Sequence, residues 1–429
     1  IRIGNNFTMS SGNENKIDEF NTFNGIINAA IKLDPLTPVK DTTGNFMSSP
    51  YTDVKNPVAK LEYTNNLRKR LYIVGNVYAD VELLSGLKFK TDFGLHLWRR
   101  DDYGFDPVYF IAADEKNEIS QVRRNHFKED QWNWTNTLTY TKEIGEHNFT
   151  LLAGTEAVAN RYETIYASTD SLISSQETMR YLSAGLVNDK ADGSASEWAL
   201  MSYFGRVNYS FGSRYLFTAS IRQDGSSRFG EDNRWGVFPS FSFGWNIMNE
   251  SFMQNVPVVS RLKIRGGWGK LGNDRIGLYQ YASTVSFDDR YKYVFGSDVG
   301  DGNQYVVVGA SPEYAGDEAI KWEEQASTNI GVDFGIFDNK ITGTFDWFIK
   351  NTTDMLYDEP IPDYTGYIRV PATNIAELEN KGWEFAINHR NSFGKFNYEI
   401  SFNISHYEAE ILSLGKGDKP MIHGGVRNG

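Results

Sequence analysis

Apolar and polar residues alternate along this chain with a period of two. In FNYEISFNIS, residues 396–405, Phe396, Tyr398, Ile400, Phe402 and Ile404 take the even positions and polar residues the odd ones. Successive side chains of a β-strand point to opposite faces, so such a segment is apolar on one side and polar on the other. The same pattern places Leu87, Phe89, Phe93, Leu95 and Leu97 opposite Lys88, Lys90, Asp92 and His96. It places Ile330, Val332, Phe334 and Ile336 opposite Asn329 and Asp333, and Ile341, Phe345, Trp347 and Ile349 opposite Thr342, Thr344, Asp346 and Lys350. Period two predicts half-buried antiparallel strands.

Strands are expected near 1–10, 71–80, 87–97, 131–142, 147–159, 197–211, 215–224, 235–247, 261–271, 322–337, 340–351, 378–391 and 395–408. Short turns (82–86, 143–147, 211–214, 337–340 and 391–395) and one longer connection (248–260) alternate with long polar loops. The loops are expected at 98–130, 160–196, 223–234, 272–321, 352–377 and from 407 onward. Strands of soluble sandwiches run about 5–6 residues, whereas a membrane-crossing strand needs about 9–11. Most of these segments reach ten or more. Length, together with short turns at one rim and long loops at the other, predicts an all-β, antiparallel transmembrane β-barrel.

Composition narrows the class further. No run of about 18 apolar residues occurs, so no membrane-spanning helix is expected, a result that leaves a barrel open. The net charge of −12 argues against nucleic acid as a partner. Without cysteine the chain has no disulfides and no thiolate metal site. No signal segment opens the chain, so processing or an internal position in a longer protein is expected.

Candidate chemistry is sparse. GWGKLG at 267–272 fits a dinucleotide fingerprint, but a polar, turn-like segment follows instead of a helix. The six histidines are scattered, and neither a nucleophile elbow nor a phosphate loop is present. No cofactor is expected. Calcium remains a candidate for the acidic loops at Asp288–Asp289 and at Asp298, Asp301 and Asn303, although the twelve-residue calcium pattern is missing. The loops are rich in aromatic residues, which can pack the loops together or line a ligand vestibule. Trp98, Tyr103, Tyr109, Tyr291, Tyr293 and Tyr305 are the candidate ring contacts to ligand, and Asp101, Asp102, Asp288 and Asp289 the candidate acceptors for hydroxyls.

The stretch at 198–253, with DGSSRFG followed by NRWGVFPS, closely resembles the SusC/RagA family of TonB-dependent outer-membrane transporters. So do LKIRGGWGKLGND (262–274), IKWEEQASTNIGVDFGIFDNKITGTFDWFIKNTTDML (320–356) and IPDYTGYIRVPATNIAELENKGWEFAINHRN (361–391), and the early segment 21–46 is similar. The resemblance implies one wall of a barrel of about 22 strands. It also implies a lumenal plug, import of oligosaccharides or peptides driven by TonB–ExbB–ExbD, and a SusD-like surface lipoprotein as lid. Thirteen visible strands, with no plug and no TonB box, make 1–429 a partial barrel domain, unable to stand alone in outer-membrane lipid because an open edge leaves backbone groups unpaired. Two rivals stay open at this point: an importer of a metal chelate or cobalamin, and a secreted β-rich glycan-binding protein.

The alternation also assigns faces. Ile330, Val332, Phe334, Ile336, Phe345, Trp347, Ile400, Phe402 and Ile404 should face lipid, and Arg206, Arg222, Asp333, Asp346, Glu399 and Asn403 the lumen. The short turns should be periplasmic and the long loops extracellular.

Overall fold

A computed structural model describes residues 1–17, 25–295, 305–358, 364, 366–367, 372–415, 422–423 and 426–427. For 288–295, 305, 306, 308, 314 and the last four described residues it gives the backbone only. Thirteen strands form one sheet: β1 (Arg2–Asn15), β2 (Asn65–Leu84), β3 (Leu87–Asp106), β4 (Gln121–Ile144), β5 (His147–Asp170), β6 (Val187–Phe211), β7 (Tyr215–Ser226), β8 (Trp235–Asn246), β9 (Val259–Asn273), β10 (Glu323–Ile336), β11 (Ile341–Asp358), β12 (Ala372–Phe393) and β13 (Phe396–Leu414). Each strand pairs with the next in sequence, antiparallel throughout. The wall is a meander, with β1 and β13 at its two edges.

Every expected strand is present, but several run further than apolar alternation indicated. β3 continues to Asp106 and β4 begins at Gln121, so the loop expected at 98–130 shrinks to the residues between them. β5 and β6 likewise consume most of the loop expected at 160–196. Beyond the apolar band the outward face turns charged, which hides the alternation while the ladder of backbone hydrogen bonds carries on, pairing Arg100 with Phe127 and Asp102 with Asn125. The loop at 272–321 contains its own hairpin, Thr284–Phe295 with Tyr305–Tyr314.

Register confirms the two faces. Ile330, Trp347, Trp383 and His406 form one cross-strand row, and Val332, Phe345, Phe385 and Ile404 the next. Ile330 is 52% exposed and Phe402 55%, values that would be costly in water and are natural against lipid. A belt of rings closes the apolar face at the short-turn rim. His147 lies 4.7 Å from Phe211, Phe149 lies 4.9 Å from Tyr209, and Tyr215 stacks on Trp245. Glu250, in the turn below, accepts hydrogen bonds from Tyr215 Oη and Trp245 Nε1, anchoring two rings at the interface. The turns are tight enough to require glycine in places: Gly86 has φ +82°, and a Cβ there would meet the Thr141 carbonyl oxygen.

The one buried apolar cluster among the described residues sits under the long loops. Phe229, Phe238, Ile276, Ile320 and Trp322 pack together, with Phe229 and Ile320 fully buried. Ser226 donates to Asp274, Arg228 to the Ile276 carbonyl, and Trp322 Nε1 to the Arg234 carbonyl. Three of the familiar sequence stretches therefore meet in one small core.

If the apolar face meets lipid, Phe345→Arg in the full-length protein should destabilise the barrel by about 2–4 kcal/mol, whereas Thr344→Arg on the lumenal face should change little. Urea titration in liposomes, followed by the heat-modifiable band on gels, measures both. Equal losses would contradict the face assignment.

Candidate functional site

The lumenal face is laced by ion pairs that cross strands. Arg265 on β9 reaches Asp333 on β10 at 3.3 Å and Asp346 on β11 at 2.7 Å. It can do so because Gly331 lies between them; a Cβ there would stand 2.6 Å from Asp346 Oδ1 and 2.8 Å from the guanidinium carbon. Arg222 on β7 donates to Asp224, to Glu156 on β5 and to Ser202 on β6, with its guanidinium over the Phe204 ring. Charge-assisted bonds of this kind fix side-chain positions as well as neutralising charge.

Higher on the same wall the composition changes. Arg68 on β2 grips Asp102 through Nε at 2.7 Å and Nη2 at 3.2 Å, and Arg100 donates to the same carboxylate at 2.9 Å. The Arg100 guanidinium lies 3.8 Å from the centre of the Phe127 ring. Trp98 and Tyr166 flank Phe127, at 6.4 Å and 5.6 Å between ring centres. Arg100 Nε is buried and has no hydrogen-bond partner. Trp98 and Tyr166, tilted and edge-on to a buried Phe127, thus make with the Arg100 guanidinium a lumen-facing aromatic platform. Such a surface suits the C–H face of a sugar ring or the planes of a peptide.

The residues singled out from sequence separate by parity. Trp98 and Asp102 point into the lumen with Arg100, whereas Asp101 and Tyr103 point to the outer wall, where Asp101 meets His126 at 2.6 Å. They belong to β3, not to a loop as expected, and cannot act on one ligand as a single cluster. Tyr109 lies in a short hairpin, Tyr109–Ala112 with Glu115–Asn117, and stacks on Tyr63 at 4.4 Å. That contact docks the segment between β1 and β2 onto the segment between β3 and β4. Asn56, buried, caps helix Pro57–Tyr63 through Val58 and Ala59, donates to the Val39 and Met47 carbonyls, and gives its own N–H to Glu115. The side chains of Asp288, Asp289, Tyr291, Tyr293 and Tyr305, and residues Asp298, Asp301 and Asn303, lie outside the described residues.

Sequence reasoning passed over Arg100, Phe127 and Tyr166. The signal was available: the parity set by Leu87 through Leu97, carried three positions further, puts 98, 100 and 102 on the lumenal face.

The family described as "TonB dependent receptor-like, beta-barrel" matches residues 4–421. TonB-dependent receptor P3 of Formosa agariphila is 32% identical over 400 residues, covering 92% of this chain and 39% of that protein. TonB-dependent receptor SusC of Bacteroides thetaiotaomicron is 32% identical over 434 residues, covering 91% of this chain and 40% of that protein. The RagAB peptide importer in its closed-closed state shares the fold, with a TM-score of 0.82 at 22% identity, over 98% of this chain and 46% of that one. The chain spans about two fifths of the length of the curated relatives it matches.

Burial pushes the Glu115 carboxyl above its ordinary value of 4.5. A carboxyl that titrates higher docked than free favours docking at low pH, and that contribution is lost as pH rises through the docked value. Amide exchange of helix Pro57–Tyr63, corrected for intrinsic rates, should therefore quicken as pH rises above the ordinary carboxyl value of 4.5, and Glu115→Gln should flatten the profile. A variant profile matching the parent would remove Glu115 from the account.

Proposed function

The chain belongs to the SusC/RagA family of TonB-dependent receptors, barrels of the outer membrane, and from that premise we propose that it forms part of an active importer of oligosaccharides or peptides. The observation that carries this reading is the platform of Trp98, Arg100, Phe127 and Tyr166 on the upper lumenal wall. Its chemistry is that of reversible recognition: rings cover apolar ligand faces, while the partly exposed Arg100 side chain offers charge to a hydroxyl, carbonyl or carboxylate. Below it the ion-paired wall is polar and rigid, suited to passing a hydrated oligomer downward. The relatives' names accord with import: SusC is a TonB-dependent receptor, and RagAB, which shares the fold, is a peptide importer. In this reading a SusD-like lipoprotein closes the extracellular mouth, and TonB–ExbB–ExbD supplies the energy to a plug inside the wall.

Uptake of labelled oligosaccharides and peptides by cells carrying the full-length protein tests the proposal. Uptake should saturate and should stop on collapse of the proton gradient or loss of TonB. Trp98→Ala and Phe127→Ala should each weaken ligand binding by about 1–2 kcal/mol, a factor of roughly 5–30. Asp101→Asn, on the same strand and the opposite face, should leave binding unchanged. Uptake indifferent to TonB would overturn active import; unchanged binding in both ring variants would reduce the platform to wall packing.

A further inference from the structure

The outer wall above the apolar band carries an unbalanced group of cations. Following the lipid-facing positions of β3 upward, Leu95 and Leu97 give way to Arg99, Asp101, Tyr103 and Phe105. Near the band the charges are paired: Arg99 and Lys128 share Asp130, and Arg161 pairs with Glu197, while Asp101, the cross-strand neighbour of Lys69, bonds the His126 ring. Around Tyr103 and Phe105 they are not. Lys69 Nζ lies 5.1 Å and the Arg124 guanidinium 5.0 Å from the Tyr103 ring centre, and the Arg180 guanidinium lies 4.2 Å from that of Phe105. Arg124 donates to the carbonyls of Gly104, Arg123 and Arg180, and Arg180 to the Ser175 carbonyl and Asn65 Oδ1. Among the described residues no carboxylate pairs with Lys69, Arg124 or Arg180.

Arg180 comes from the connection between β5 and β6, residues 171–186, which folds against this outer wall rather than over the lumen. Its own Ala184 is buried, as are Phe105, Val122 and Thr169 of the wall, while Ile173, Tyr181 and Leu186 are 66%, 62% and 65% exposed. Apolar side chains and uncompensated cations displayed together are the composition of a surface that meets lipid headgroups. The wall below it is the lipid-facing band itself, so the patch continues an interface already in contact with the membrane.

Height selects the lipid. From Leu97 to Tyr103 is six residues, about 20 Å along the strand, or about 15 Å of rise at the usual tilt. The headgroup zone of a simple phospholipid extends only about 5–8 Å beyond the hydrocarbon. The anions that reach this patch must therefore ride on sugars. We propose that Lys69, Arg124 and Arg180 bind the phosphorylated core sugars of outer-leaflet lipopolysaccharide, with Tyr103 and Tyr181 against the sugar rings and the 171–186 connection as the contact surface.

The test uses the full-length protein in detergent, titrated with lipopolysaccharide bearing a phosphorylated inner core and read by native mass spectrometry. The same glycolipid after core dephosphorylation, lipid A without core sugars, and inorganic phosphate serve as comparison probes. The combined variant Lys69→Gln, Arg124→Gln, Arg180→Gln should lose binding by at least about ten-fold, as should removal of the core phosphates. Arg161→Gln, which breaks a paired cation on the same wall, should bind like the parent. Heat-modifiability on gels checks that the barrel is intact; if the combined variant fails to fold, the exposed Lys69→Gln alone should weaken binding by about three-fold. Undiminished binding by the variants overturns the proposal, as does equal binding of lipid A without core or full competition by inorganic phosphate. A change in self-association or in lid capture with lipopolysaccharide binding intact would reassign the patch to a protein partner.

Discussion

Backbone hydrogen bonding in a medium without water governs this structure. Each N–H and C=O left unpaired in hydrocarbon costs several kcal/mol, so every strand that crosses must have a neighbour on both sides. From β2 to β12 the meander meets that demand, each strand pairing with both of its sequence neighbours, while β1 and β13 each pair on one side. Once the ladder is fixed, the pleat leaves no freedom: side chains at one parity meet lipid and those at the other meet the lumen. A slip of one residue would carry Asp333 and Asp346 into lipid and Ile330 and Trp347 into water. The register is thus held by both faces at once.

That coupling explains what was legible in the sequence. Within the apolar band the alternation is nearly free of exceptions, and all thirteen strands could be placed from it. Above the band the outward positions become Arg99, Asp101 and Tyr103, and both faces are then polar or aromatic. The pattern that identifies a strand disappears although the strand does not. Treating 98–103 as a loop turned Trp98, Asp101, Asp102 and Tyr103 into neighbours around a vestibule, when the pleat divides them between two sides of a wall. Extrapolating parity is safer than waiting for hydrophobicity, because the ladder persists after the lipid ends. The contacts of Arg100 with Phe127 and of Lys69 with Tyr103 join strands at positions that only the register reveals. No local pattern contains them.

The lumenal networks answer a problem posed by the missing core. A wall exposed on both faces cannot be held rigid by apolar packing between layers, and outside the loop cluster the buried apolar side chains are isolated ones such as Phe105, Val122, Phe127 and Ile247. Cross-strand ion pairs take over part of that role. Arg265 ties three strands together only because Gly331 leaves the space between, so a glycine that reads as neutral in the sequence is a structural requirement of the network. Pairs of this type are directional, and direction matters more here than strength: a guanidinium held by two carboxylates keeps its plane, and the lumenal surface keeps its shape.

The loop core shows the same economy at the extracellular rim. Ser226, Arg228 and Phe229 come from the turn after β7, Asp274 and Ile276 from the end of β9, and Ile320 and Trp322 from the approach to β10. Each stretch alone is too short and polar to bury anything. Together they enclose Phe229 and Ile320 completely, removing two large apolar side chains from water at about 1.5–3 kcal/mol each. This is why DGSSRFG, GKLGND and IKWEEQ are distinctive as a set although none is a catalytic motif. Their residue types are dictated by one another across nearly a hundred positions. A change at Arg228 removes a bond to the Ile276 carbonyl and frees the connection that leads to the hairpin at 284–314, so the mouth of the barrel is shaped by a core that no single segment could specify.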